Sequence, residues 1–246
     1  MPIIYLSPSL QPYNEYLGGG NEQEYMNLLA DQMVPYLKTN GIQYTRNRPG
    51  MTLSEAIRES NAGYYDLHLA LHSNASPPEL AGKLRGADAY YYRYSTRGKR
   101  AADIIVRNYK NIYPDPSKVR ALATTKLAEV TKTNAPAVLL ETAYHDNAED
   151  VEWLKSNLRT IAANLVLSLT EYFGIPFITP PQAERRGKVV TAGGNLNLRS
   201  LPSLDGAIIA RIPNGSTVTV YGEWNGWYVT GYGGSVGYAS ADYIRV

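Results

Sequence analysis

Residues 66–75, Asp66-Leu67-His68-Leu69-Ala70-Leu71-His72-Ser73-Asn74-Ala75, constrain the fold more than any other stretch. Leu67, Leu69 and Leu71 alternate with His68, Ala70 and His72, which is the period of a strand rather than of a helix. The strand reads as buried and ends in polar residues. His68 and His72 are four apart, so on a strand their side chains leave the same face. They are two of only three histidines in the chain. A histidine at the end of a buried strand, followed by Ser-Asn-Ala, suits a metal ligand or a catalytic base. Two hydrogen-bonded histidines on a sheet are the plainer alternative, and this stretch alone leaves both open.

Helices and strands alternate around it. An apolar run at residues 3–6 is followed by a loop rich in Pro, Asn and Gly. Residues 22–39 then carry Met26, Leu29, Met33 and Leu37 at helical spacing, with Gly41 as the stop signal. A second strand is expected at 42–45, and a helix capped by Thr52 runs to about Asn61. After the histidine strand, the Pro77-Pro78 pair, Gly82 and Gly86 mark a long loop at 76–86. A tyrosine-rich strand at 87–92 and a helix at 98–112 come next. Residues 113–134 read as a polar excursion with a possible strand at 127–130. Ala137-Val138-Leu139-Leu140 is a continuous apolar run, as in a strand buried on both faces, and it ends at Glu141. A long helix is expected from Asp146 to Phe173. The pattern predicts an α/β domain with a mostly parallel sheet flanked by helices. Sites in such sheets lie at the carboxyl ends of the strands. The loop after Leu6, the tail of the histidine strand and Glu141 all lie at such ends, so His72 and Glu141 are expected to face one cleft.

The remainder follows a different grammar. Pro176, Pro180 and Pro181, with the charged Glu184-Arg185-Arg186-Gly187, break the helical pattern and read as a linker. Short strands with Gly turns follow from Lys188, at the spacing of an all-β domain. The expected division is residues 1–178 for the α/β domain, 179–187 for the linker and 188–246 for a small β barrel. A length of 246 residues accommodates both. The formal net charge of +2 is too small, and Lys and Arg too scattered, to argue for nucleic acid. No apolar run approaches the ~20 residues needed to span a bilayer. No signal peptide is read, because strand-like sequence starts at Pro2. The absence of cysteine removes disulfides, thiolate metal sites and a Cys nucleophile. The 21 tyrosines against two phenylalanines give rings with polar tips, which suit contact with sugars or peptides, although a lineage habit of using Tyr for Phe is the plainer reading.

Glu141 closes a fully apolar strand, where a carboxylate is costly unless it is paired, bound to metal or catalytic. The bland alternative is a salt-bridged Glu at a strand tip. Glu22 lies in the first turn of its helix, where favourable interaction with the helix N-terminus is explanation enough. Leu69-Ala70-Leu71-His72-Ser73-Asn74-Ala75 and Pro136-Ala137-Val138-Leu139-Leu140-Glu141-Thr142-Ala143-Tyr144-His145-Asp146-Asn147 resemble strand-end segments of the zinc-dependent N-acetylmuramoyl-L-alanine amidases. Ile4-Tyr5-Leu6-Ser7-Pro8-Ser9 is similar to the opening strand and loop of a clostridial-type branch. The resemblance spans about residues 3–175. It implies a peptidoglycan hydrolase that cuts the amide between N-acetylmuramic acid and L-alanine of the stem peptide. It further implies zinc held by His72 and Glu22, with Glu141 as the general base. The family's first histidine is absent, and Tyr13 stands where it is expected. Tyr13, His68 or His145 is left to replace it, and two ligands alone hold metal more weakly than three. A non-catalytic peptidoglycan-binding protein on the same fold is the alternative.

Residues 188–246 resemble bacterial SH3-like domains through Leu196-Asn197-Leu198-Arg199-Ser200-Leu201-Pro202-Ser203, Pro213-Asn214-Gly215-Ser216-Thr217-Val218, Asn225-Gly226-Trp227-Tyr228 and Gly237-Tyr238-Ala239. This implies attachment to peptidoglycan, with Trp224 and Tyr232 as candidate contacts and Trp227 as a packing residue. Both resemblances imply peptidoglycan catabolism at the cell wall or outside the cell.

Overall fold

The computed structural model describes residues 1–180 and 185–246. Contacts divide the chain into two compact units: residues 3–34 with 44–172, and residues 173–246 with 1–2 and 35–43. Residues 181–184, within the expected linker, lie outside the described residues. No helix among the described residues is long and apolar enough to cross a membrane.

The first unit holds strands β1 (Ile3–Pro8), β2 (Gln43–Arg46), β3 (Leu67–Asn74), β4 (Ala87–Tyr92), β5 (Val119–Thr124) and β6 (Ala137–Tyr144). Its helices are α1 (Glu22–Thr39), α2 (Leu53–Ala62), α3 (Thr96–Tyr109), α4 (Ala128–Thr131) and α5 (Ala148–Phe173), with the C-terminal turns of α1 counted in the other unit. The strands form one sheet in the order β2-β1-β3-β6-β4-β5. The pairs β1/β3, β3/β6 and β4/β5 are parallel, and β4/β6 is antiparallel. The mixed α/β expectation therefore holds, with the histidine strand one of the two central strands and buried along nearly its whole length. Leu67, Leu69 and Leu71 are fully buried on the face opposite the histidines. Thr52 caps α2 in a complete capping box with Glu55, which anchors the two backbone ends that a free helix start leaves open.

The expected strand at 127–130 is corrected. The strand of that region is β5, and residues 128–131 form the single helical turn α4. Leu127 and Val130, three apart, share one side of this turn and pack with Ala70, Ala137 and Leu139. A strand would have sent them to opposite faces. The 76–86 loop is tied down by Asp146, whose carboxylate accepts from the backbone N–H of Ser76 at 3.1 Å and of Gly82 at 2.8 Å.

The second unit contains β7 (Arg185–Val189), β8 (Leu196–Arg199), β9 (Ile208–Ile212), β10 (Thr217–Trp224), β11 (Trp227–Tyr232), β12 (Ser235–Ser240) and β13 (Ile244–Arg245). They run β13-β7-β10-β11-β12-β8-β9, and each neighbouring pair is antiparallel. β7 opens at Arg185, three residues ahead of the expected start of the barrel. Alternate residues Val218 and Val220 of β10 and Leu196 and Leu198 of β8 point inward, joined by Val189, Ile212 and Ile244. Asn225 has φ of 42°, the left-handed value that the Asn-Gly turn between β10 and β11 requires.

Candidate functional site

Sheet register builds the site. β3 places His72 beside Glu141 of β6, Ala70 beside Leu139 and His68 beside Ala137. β1 adds Tyr5 beside His68 and Ser7 beside Ala70, while β4 adds Asp88 beside Glu141 and Tyr90 beside Leu139. Side chains on neighbouring strands in register leave the same face, so these residues share one surface of the sheet. α4 covers the middle of that surface through Leu127 and Val130, and this carries the carboxylate of Glu129 between the two histidines.

Glu129 is buried, yet every side of its carboxylate has a donor. Ser7 Oγ donates at 2.6 Å, and His68 Nε2 lies at 3.3 Å, both on Oε1. His72 Nε2 stands 2.9 Å from Oε2. Burial works against the charged form, but the bonds from His68 and His72 overcome it and hold the carboxyl well below the usual carboxylate range. His68 is fully buried, stacked on Tyr5 at 5.1 Å, with Nδ1 2.9 Å from Ser60 Oγ. It supports Glu129 and does not reach the cavity described below.

The other edge of the His72 ring meets Glu22. Glu22 is fully buried at the start of α1, turned inward and away from solvent. Its Oε1 is 2.8 Å from His72 Nδ1, and its Oε2 accepts from Asn14 Nδ2 at 2.5 Å. Burial opposes its charge, but His72 and Asn14 outweigh that and lower its pKa. The imidazole is likewise pushed toward its neutral form by burial, and the two carboxylates raise its pKa well above the ordinary histidine value. Gln11 completes the group: its side-chain Nε2 is 3.2 Å from His72 Nδ1 and 3.5 Å from Glu22 Oε1.

Glu141 behaves differently from both. Its Oε2 is buried with no hydrogen-bond partner. Burial, together with the negative charges of Glu22, Asp88 and Glu129 and against the pull of His72, raises its pKa to about 7. Asp88 is held in a two-pronged pair with Arg120, at 2.8 and 2.9 Å. Gln11, Tyr13, His72, Glu129 and Glu141 line one cavity of about 430 Å³.

The three residues brought together as expected are Glu22, His72 and Glu141. Tyr13 is 73% exposed and donates its hydroxyl to Gln11 Oε1 at 3.3 Å. His145 is buried, stacked on Tyr16 at 5.5 Å, with Nδ1 3.1 Å from Ser73 Oγ, and it does not line the cavity. Sequence reasoning missed Glu129 and Gln11. The three-residue spacing of Leu127 and Val130 is the one local signal that could have turned Glu129 toward the sheet. Gln11 carries none.

An imidazole and a carboxylate are both ordinary zinc ligands, and the unpartnered Glu141 oxygen beside them fits a proton acceptor awaiting its water. Among the described residues no group of three His, Cys, Asp or Glu converges as a metal centre; Glu22 and His72 are the conventional donors at this point, with the Gln11 amide 3.2 Å from His72 Nδ1. These residues fit a zinc ion with an unconventional third neighbour.

The barrel has a second cavity, of about 370 Å³, lined by Asn197, Arg199, Trp227 and Tyr243 among others. Trp224 is 39% exposed, while Tyr232 packs against the barrel core.

Residues 14–171 match the family model described as N-acetylmuramoyl-L-alanine amidase, and residues 194–245 match the bacterial SH3 domain. The first match opens just after Gln11 and Tyr13. A search of curated proteins returns no match. Among solved structures, the N-acetylmuramoyl-L-alanine amidase AmiC2 of Nostoc punctiforme is similar with a TM-score of 0.63 at 16% identity, over 70% of this chain and 97% of that one. The catalytic domain of the CD27L endolysin targeting Clostridia difficile is similar with a TM-score of 0.58 at 23% identity, over 70% and 97%. The catalytic domain of CwlV, an amidase of Bacillus (Paenibacillus) polymyxa, gives 0.61 at 18%, over 72% and 100%.

Proposed function

The chain belongs to the N-acetylmuramoyl-L-alanine amidase family and carries a bacterial SH3 domain, and from that premise we propose that it is a zinc-dependent hydrolase of peptidoglycan. The bond cut is the amide joining the lactyl group of N-acetylmuramic acid to L-alanine of the stem peptide. The observation that carries the reading is Glu141: a half-buried residue whose enclosed Oε2 has no hydrogen-bond partner and whose pKa burial pushes up to about 7, beside His72 on a shared cavity.

Glu22 and His72 are the residues that would hold the metal. Bound zinc supplies Lewis acidity toward the amide carbonyl and makes water acidic enough to attack at neutral pH. Glu141 takes the proton from the attacking water as the carbon–oxygen bond forms. It then delivers that proton to the amine nitrogen as the carbon–nitrogen bond breaks, so it ends the cycle as it began. Its pKa near 7 suits both directions of transfer. Glu129 fixes the ring of His72 from behind by accepting its Nε2–H, which directs Nδ1 toward Glu22. The SH3 domain attaches the enzyme to the wall, through the cavity lined by Arg199, Trp227 and Tyr243. The site of action is the cell wall or the extracellular space.

The neutral amide of Gln11 beside His72 favours one other reading, a wall-binding protein without catalysis. Incubation of the zinc-loaded protein with purified peptidoglycan separates the two. The enzyme reading requires new alanine amino termini, lost in Glu141→Gln. Pull-down with the wall but no new amines in the wild type would leave the binding reading.

A further inference from the structure

We infer that Gln11 is the third metal-facing group of this site, and that it takes the place of the family's missing histidine. This rests on the zinc reading above. Gln11 Nε2, Glu22 Oε1 and His72 Nδ1 form a triangle with edges of 2.8, 3.2 and 3.5 Å. Ligands on a tetrahedral zinc with bonds of about 2.1 Å stand about 3.4 Å apart. The longest edge matches that spacing and the two shorter ones are hydrogen-bond distances, so a ligand set needs the Gln11 amide turned to put Oε1 where Nε2 stands.

Hydrogen bonding cannot satisfy all three edges. Nδ1 either donates to Glu22, and then confronts the Gln11 amide hydrogens, or accepts from Gln11, and then confronts the Glu22 carboxylate. Each arrangement leaves one edge opposed. A cation at the centre resolves the conflict. Glu129 accepts from Nε2, so the proton that a bound cation displaces is the one on Nδ1, whose lone pair then faces inward. A half-turn of the Gln11 amide then exchanges its two ends and presents Oε1. The exchange gives up the 3.3 Å bond from Asn14 to Gln11 Oε1 and keeps a partner in the Tyr13 hydroxyl, which can accept as well as donate. Asn14 holds its shorter 2.5 Å bond to Glu22 throughout. Tyr13 acts on Gln11 and stays out of the ligand set, consistent with its exposure of 73%.

An amide oxygen is a harder and weaker zinc ligand than an imidazole. The site therefore binds zinc more weakly than a three-ligand site of His and Glu, and a histidine at position 11 strengthens it. The test measures zinc affinity of the full-length protein by competition with a chromogenic chelator, with circular dichroism to show each variant folded. Gln11→Ala should weaken zinc binding about tenfold or more, and Gln11→His should tighten it by a similar factor. Tyr13→Phe should stay within about twofold of wild type. Unchanged affinity in both Gln11 variants, with binding lost in Glu22→Ala and His72→Ala, overturns the Gln11 assignment and leaves the zinc site standing. Zinc binding that survives Glu22→Ala and His72→Ala overturns the site itself, and this inference with it.

Discussion

The two units bury their side chains in opposite styles. Within residues 185–246, the barrel packs Val189, Leu196, Leu198, Ile212, Val218, Val220 and Ile244 together, and Thr230 is the one buried polar side chain among the described residues there. The histidine-bearing face of the central sheet instead buries Ser7, His68, His72 and Asp88, with Glu129 brought in from α4 and Glu22 from α1. Apolar burial stabilises by roughly 25 cal/mol per Å², whereas a buried charge needs a dedicated partner to break even. The barrel is thus built for stability. The sheet face gives up stability for an arrangement of charge, which is the usual mark of a working site.

The comparison is broken most severely at Glu141. Glu141→Gln should lower peptidoglycan hydrolysis by about 10²–10⁴-fold, the span assigned to acid–base groups, while thermal melting and wall pull-down stay as in wild type. Retained hydrolysis would make the sheet face a structural network only. On the barrel side, Leu198 is fully buried, and Leu198→Ala should lower stability by about 2–5 kcal/mol. Calorimetry should register that loss with zinc affinity untouched, and a fall in zinc affinity would end the claimed division of labour. Glu129→Gln tests the support behind His72. The amide oxygen can still accept a hydrogen bond without the charge, so zinc affinity should fall by about 10–100-fold, read by chelator competition.

The smallest effect sharpens the boundary of the site. Burial opposes the charge of Asp146, but bonds from Gly82 and Ser76 prevail and lower its pKa. A lowered carboxyl contributes stability that is fully present above the unfolded value of about 3.9 and is lost as pH falls through the folded value. Asp146→Ala should cost about 1 kcal/mol and speed amide exchange at Ser76 and Gly82 at neutral pH. The difference from wild type should vanish in strong acid. Equal exchange at neutral pH would mean that the 76–86 loop is held by other contacts.

Much of this was legible in the chain because local pattern and burial agree. The alternation of Leu67, Leu69 and Leu71 fixed a strand, and the apolar run before Glu141 fixed another. Parallel pairing of the two then makes His72 and Glu141 neighbours. Barrel strands announced themselves through Gly turns and alternating valines, although the two residues of β13 were too few to show a period. Glu22 read as an ordinary acidic residue at a helix start because its inward turn depends on which face of α1 the sheet covers. Glu129 and Gln11 were hidden for a stronger reason. Each lies in a short or irregular segment whose direction is set by what it packs against: the spacing of Leu127 and Val130 is a single turn's worth of period around Glu129, and Gln11 has none. Tyr13 drew attention because it stands where the resemblance expects a histidine, and the neighbour two positions before it, Gln11, is the one that reaches Glu22 and His72.

The pairing of β3 with β6 has a further consequence for the timing of synthesis. His72 is made early, but the strand that brings Glu141 to its side is made only after β4, α3 and β5. Non-local parallel pairing is slow because a long loop must close before any contact rewards it. The nascent chain therefore carries His72 and Glu22 through the synthesis of β4, α3 and β5 without Glu141 beside them. The grouping of Glu22, His72 and Glu141 therefore exists only once β3 and β6 have paired.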